Sequence, residues 1–225
     1  MRVSAALASS IVAIGLVGTA AANAAVVLSD TFTGCGAACT PNTLNWPGDG
    51  VFTSDSGPAT GPTPNNASVD LVGPSNPFGI TSVSPSLNVV DMDGTTGSGN
   101  VPSGILQSNA SLSTGDYTVT FWLSGNQRGA PPVSLSVTIG SETQTFGPLA
   151  SSAPWTFETL HFTGVSGPLF FIGSGPSDQQ GDLIGDVSVL TGIPEASTWM
   201  MTGLGFAGLG FAAFRKGRKK DVAIA

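Results

Sequence analysis

The chain has 225 residues, of which only 9% are charged, and it carries 31 Gly and 16 Pro. That composition excludes a long-helix bundle and suits many short strands joined by turns. The net charge of -7 is segregated: Arg2, Arg215, Lys216, Arg218, Lys219 and Lys220 sit at the two ends, while residues 25 to 194 hold twelve acids against Arg128 alone. A body so acidic repels phosphate backbones and excludes nucleic-acid binding.

In chain order, Met1-Arg2 opens an apolar run through Ile11, Val12, Ile14, Leu16 and Val17 that ends in Ala22-Asn23-Ala24. A positive start, an apolar core and a small-residue site define a secretory signal over residues 1–24, with cleavage expected between Ala24 and Ala25. A retained membrane helix fits less well, because the strongly apolar part is short.

The body, residues 25–192, shows no repeat and no helical period. Short runs of β-branched and aromatic residues recur between turn clusters. They predict strands at 25–32, 69–72, 87–90, 104–107, 116–123, 133–139, 143–146, 155–162, 169–172 and 183–190. Strict alternation is clearest at Tyr117, Val119, Phe121 and Leu123, and at Val133, Leu135, Val137 and Ile139. Such alternation lays one face on a core and leaves the other wet. The set predicts an all-β antiparallel β-sandwich. Between Trp155 and Phe162 the apolar parity changes, which a one-residue β-bulge near Glu158-Thr159 would explain. Residues 40–66, with Pro41, Pro47, Pro58, Pro62 and Pro64, read as an irregular surface loop. Cys35 and Cys39, the only two cysteines, are expected to close a local disulfide in an oxidising compartment.

The final segment, 193–225, runs Ile193-Pro194-Glu195-Ala196-Ser197-Thr198-Trp199, then uncharged to Phe214, then basic over 215–220. As a helix, about 196–214 would rise roughly 28 Å, close to the thickness of a bilayer core. The basic tail would remain cytoplasmic and the acidic body outside.

The order Pro194-Glu195, apolar helix and basic tail resembles the PEP-CTERM sorting signal of Gram-negative bacteria. It departs at Ala196, where that signal usually has a second Pro. The resemblance implies processing by an exosortase, transient residence in the inner membrane, and delivery to the cell surface or extracellular matrix. A permanent membrane anchor is the alternative. Within the body, Val69-Asp70-Leu71-Val72, Val90-Asp91-Met92-Asp93-Gly94, Ile105-Leu106-Gln107, Leu112 to Phe121, Leu123 to Asn126 and Gly185-Asp186-Val187-Ser188-Val189 resemble choice-of-anchor proteins in their order. That resemblance implies a galactose-binding-like jelly roll. It departs at Gly185, where the family often has an extra acid or amide.

Four acids, Asp30, Asp91, Asp93 and Asp186, fall at strand ends or beside turns, where sandwich modules hold calcium. Calcium and plain solvated turn acids both account for them, and the galactose-binding-like resemblance favours Asp30 with Asp186 as the calcium pair. A sugar ring offers C–H faces and hydroxyl edges, so carbohydrate binding needs an aromatic platform beside hydrogen-bonding side chains. Trp46, Trp122 and Trp155 are the available rings. Trp122, followed by Asn126, Gln127 and Arg128 in a turn, is the expected carbohydrate site, with core packing as the alternative for the ring.

No nucleophile elbow, zinc-peptidase motif or phosphate loop occurs in the sequence. His161, between Leu160 and Phe162, reads as structural, so no catalytic residue is assigned. The expectation is a non-catalytic structural or carbohydrate-binding module associated with exopolysaccharide; the alternative is a secreted polysaccharide hydrolase.

Overall fold

A computed structural model describes residues 24–33, 40–54, 67–95, 103–192 and 205–208. Most of the signal, Cys35 and Cys39, the Pro194-Glu195 motif, the basic tail and all but 205–208 of the expected membrane helix lie outside the described residues. Among those described, no helix is long and apolar enough to cross a membrane.

Among its described residues the body, Ala24–Ile193, is all-β. Its strands are β1 (Val26–Asp30), β2 (Phe52–Ser54), β3 (Asp70–Val72), β4 (Val89–Asp91), β5 (Ile105–Ser124), β6 (Val133–Ile139), β7 (Glu142–Leu149), β8 (Thr156–Ser174) and β9 (Leu183–Thr191). They pair antiparallel in the order β3-β4-β9-β5-β8-β6-β7, with β1 added to β9 and β2 to β5.

The two long strands convert this single path into a sandwich. Tyr117–Leu123 of β5 pairs with Thr156–Phe162 of β8 beside β9, whereas Ile105–Gln107 pairs with Phe170–Ile172 beside β2 and β6. Between these stretches the register shifts three times, and β8 turns its corner through Gly164 and Gly167, at φ +65° and +120°. Only glycine adopts such angles without strain. The crossing places Phe121 against Phe171, with ring centroids 5.1 Å apart at 77°, so the two halves of the pair of strands enclose one core. Phe32, Phe52 and Trp46 extend that core, all at 0% exposure.

Several expectations need correction. β6 has the bounds its alternation predicts, but β2 lies inside the segment read as loop, and the separate runs at 104–107 and 116–123, and at 155–162 and 169–172, are parts of continuous strands. The bulge near Glu158-Thr159 is absent: Val119 to Leu123 pairs with Leu160 to Thr156 without a shift. The parity changes because Leu160 and Phe162 face the core while Phe157 lies on the outer face against Trp122. The bulge is on β9 instead. Thr120 pairs with Ser188 and Trp122 with Gly185, which leaves an extra residue at Asp186-Val187, and Asp186 has φ +47°.

A second, smaller apolar cluster covers the outer face of β4 and β9. Val72, Ile80, Val89 and Leu183 pack there with Phe78, Val83 and Trp155. The covering loop is shaped by Asn76, whose amide donates to the carbonyls of Gly73 and Ile80 and whose Oδ1 accepts from the N–H groups of Phe78 and Ile80. This loop carries Thr81 to the groove described next.

Candidate functional site

The groove lies at the end of β5, where three loops meet. Its walls are Thr81, Ser124, Gln127, Ser151, Ser152 and Trp155 with Ala153 and Pro154, and its volume is about 400 Å³. Gly125 allows the loops to approach: a Cβ there would stand 2.0 Å from the carbonyl oxygen of Ala150. The N–H of Gly125 donates to Ala153 O at 3.2 Å, and Ser124 Oγ to the same oxygen at 2.9 Å.

Two side chains fix the third loop. Trp155 Nε1 donates to Thr81 O at 2.8 Å, which orients the indole in the wall. Gln127, at φ +58°, accepts from Thr81 N at 2.8 Å and donates to Thr81 O at 3.2 Å and Ser124 Oγ at 3.1 Å. The Gln127 amide therefore braces the groove, and Ser151 and Ser152 add polar residues to its lining. On the far side of Gln127 a shallower hollow of about 490 Å³ is lined by Phe78, Gly79, Arg128, Asp178, Gln179 and Gln180.

Of the residues expected to bind carbohydrate, only Gln127 lines the groove proper. Asn126 is fully buried; its amide donates to Ala130 O and Pro131 O, and its Oδ1 accepts from Arg128 N, so it shapes the turn. Arg128 lines the hollow, yet its guanidinium is committed to Asp91 Oδ2 and Asn126 O. Trp122 packs edge-on against Phe157, with centroids 5.2 Å apart. Trp46, another ring weighed as a platform, is core: it meets Phe32 at 5.9 Å and 90°. The ring that the groove contains is Trp155. His161 lies exposed on the sheet, 3.2 Å from Thr118 Oγ1 through Nδ1.

The carboxylates separate into two groups. Asp30 is opposite Val187 in the β1–β9 ladder and is buried with the core, whereas Asp186 is half-buried at the bulge; the register does not make them cross-strand partners. Asp30 stands beside Asp49. Burial, then the shared hydrogen bond with Asp49, pushes the Asp30 carboxyl up to about 7, although Phe32 N donates to it at 2.7 Å. Asp49 in turn accepts from Val51 and Phe52 at the start of β2.

The other group gathers where β3 begins and β4 ends. Asp70 Oδ1 accepts from Asn45 N and Thr95 N at 2.7 and 2.9 Å. Asp91 Oδ1 accepts from Gly181 N and Asp93 N at 2.9 and 3.1 Å, while its Oδ2 meets Arg128. Asp93 Oδ2 takes three backbone donors from Asp178, Gln179 and Gln180. Burial raises the pKa of all three and carries Asp91 to about 7 despite the opposing pull of Arg128. Among the described residues, no three His, Cys, Asp or Glu side chains are already gathered to hold a metal.

No protein-family model and no curated protein matches the chain. Solved structures of similar shape include the K3 cleaved adhesin domain of Lys-gingipain from Porphyromonas gingivalis W83, 18% identical over 76% of this chain and 100% of that one, with a TM-score of 0.45. The K2 cleaved adhesin domain of Lys-gingipain is 16% identical over 72% of this chain and 98% of that one, at 0.48. A Clostridium thermocellum xylanase 10B structure containing CBM22-1 and GH10 modules, complexed with xylohexaose, is 13% identical over 74% of this chain and 28% of that one, at 0.39. The assignment of a sandwich rests on the strand pairing and the shared core described above.

Proposed function

We propose that the chain is an exported β-sandwich protein of the cell surface or extracellular matrix, processed at Pro194-Glu195 by an exosortase, whose body binds exopolysaccharide without catalysis. The observation that carries the binding reading is the groove in which an oriented indole, Trp155, shares the wall with Ser151 and Ser152. An indole edge or face suits the C–H surface of a sugar ring, and hydroxyls suit its rim. The groove volume falls within the range of small-ligand sites, roughly 300–1,000 Å³. Its braces are backbone carbonyls and the Gln127 amide, so the site is formed before a ligand arrives.

The test is retention on the organism's own exopolysaccharide together with an assay for released reducing ends. Retention by the wild type, loss of retention in Trp155→Ala, and no release of reducing ends support the proposal. Release of reducing ends supports the polysaccharide hydrolase, and full retention by Trp155→Ala removes the groove as the binding site.

A further inference from the structure

Buried oxygen atoms without partners are concentrated at one end of the sandwich. The segments there are mutually hydrogen-bonded: Met92 N donates to Asp182 O at 3.0 Å, Gly94 N to Ser68 O at 2.9 Å and Gly104 N to Met92 O at 2.6 Å, while Ser68 bridges Ser103. On these segments and the adjoining 178–180 turn, Ser68 Oγ, Asp93 Oδ1, Ser103 Oγ, Asp178 Oδ1 and Gln180 Oε1 are buried with no hydrogen-bond partner, and the buried carboxylate of Asp182 has none from any other residue. Asp182 and Asp93 are each 0% exposed. Every one of these atoms is an oxygen, and a buried polar group left unpaired is costly.

The local charge makes the pattern more pointed. Asp91 and Asp93 lie close enough to Asp182 for their charges to disfavour its ionised form, on top of its complete burial. The only Lys or Arg among the described residues, Arg128, is held by Asp91. Asp93 is also held rigidly, because three backbone N–H groups grip its Oδ2 and leave Oδ1 free to turn toward another partner. Oxygen-only donors of mixed type, carboxylate, amide and hydroxyl, match a hard divalent cation that accepts six to eight oxygens in flexible geometry.

We infer that this end of the sandwich is a calcium site, with Asp93 and Asp182 as its two anionic anchors and further oxygens drawn from Gln180, Ser68 and Ser103. It is separate from the Asp30–Asp49 pair at the other acidic locus. A bound ion would clamp the 178–182 turn to β4, and that turn lines the hollow beside Gln127.

The experiment uses the purified chain stripped with chelator and titrated with calcium chloride, with calorimetric binding and thermal melting as readouts. The wild type should bind calcium, and at a hundredfold excess over Kd its Tm should rise by roughly 5–10 °C. Asp182→Asn, nearly isosteric, should weaken calcium binding at least tenfold while melting at or above the wild type in chelator, since it removes a buried charge. Asp93→Asn should weaken binding likewise and supplies the decision if Asp182→Asn does not fold. Asp30→Asn should leave the calcium response intact. A wild-type Tm equal in calcium and chelator overturns the site, as does a response kept by both Asp182→Asn and Asp93→Asn, or one abolished by Asp30→Asn alone.

Discussion

Arg128 donates from Nη2 to Oδ2 of Asp91, joining the turn after β5 to the end of β4 across 37 residues of sequence. Asp91 is 1% exposed, so the guanidinium is the cation that makes its burial tolerable. Removing one member of a buried pair costs on the order of 3–5 kcal/mol, because the remaining charge is stranded. Arg128→Leu should lower the urea unfolding free energy by about that amount, and adding Asp91→Asn should restore most of it. If Arg128→Leu alone is neutral, the pair is not holding the turn.

The Asp30–Asp49 pair makes stability depend on pH in a definite direction. The Asp30 carboxyl rises from 3.8 to about 7 on folding, with burial as the largest cause and the hydrogen bond shared with Asp49 next. The folded chain therefore binds the proton more tightly than the unfolded one. The associated stability is fully present below about pH 4 and is lost as pH rises through about 7. In chelator the denaturation midpoint should fall across that window, and Asp30→Asn should flatten part of the fall. The remaining slope belongs to Asp70, Asp91, Asp93 and Asp182, whose burial raises them in the same sense. A slope unchanged in Asp30→Asn would separate Asp30 from the pH dependence.

What could be read before the structure follows from where periodicity exists. Val133–Ile139 alternates apolar and polar without interruption, and β6 has those bounds. The corners of β5 and β8 are rich in Ser, Gly and Thr, which mark a turn and a bent strand equally well, so each long strand reads as two. β2 is three residues among prolines and glycines, too short for a period. Trp46 lies in irregular chain, where no alternation tells buried from exposed, and it proved to be core. Asn126 follows an aromatic strand in the manner of a binding turn, but a buried amide that satisfies its own turn has the same local sequence. Asp182 carried no signal beyond standing after Gly181 at the start of an apolar strand; its role depends on partners distant in sequence.

Asp186 gives a test that separates backbone shape from metal binding. Its φ of +47° is imposed by the β9 bulge and is uncommon for a residue with a Cβ. Asp186→Gly should be neutral or stabilising by up to about 1 kcal/mol, and Asp186→Val destabilising by more than that, since a β-branched residue fits this conformation poorly. Calcium-dependent melting should persist in Asp186→Gly. Loss of the calcium response there would return Asp186 to a ligand set with Asp30.

The tail is tested by changing the motif and keeping the hydrophobicity. Replacing Pro194 and Glu195 with Ala leaves the apolar stretch and the basic residues 215–220 as they are, so membrane insertion should persist. Shortening and release of the chain should stop. If the doubly substituted chain is shortened like the wild type, recognition does not use these two residues.

Trp122 and Trp155 should behave oppositely when each is cut to Ala. Trp122 is half-buried on the outer face of β5, with its ring against Phe157, itself 53% exposed, and its Cβ 3.9 Å from a Cβ built on Gly185. Truncating a fully buried Trp costs about 3–5 kcal/mol, and an aromatic pair contributes about 0.5–1.5 kcal/mol beyond its area. Half-burial places Trp122→Ala between these, at roughly 2 kcal/mol, with polysaccharide retention unchanged. Trp155→Ala also removes an indole that packs on Val72, Ile80, Val89 and Leu183 and donates to Thr81, so some stability is lost with it. Trp155→Phe resolves the two roles: it keeps an aromatic ring on the cluster but deletes the N–H that orients the indole. Retention should fall in Trp155→Phe by more than its denaturant midpoint does, while Trp122→Ala should lose midpoint and keep retention. Retention lost in Trp122→Ala and kept in Trp155→Phe would move the binding surface to the Trp122–Phe157 face.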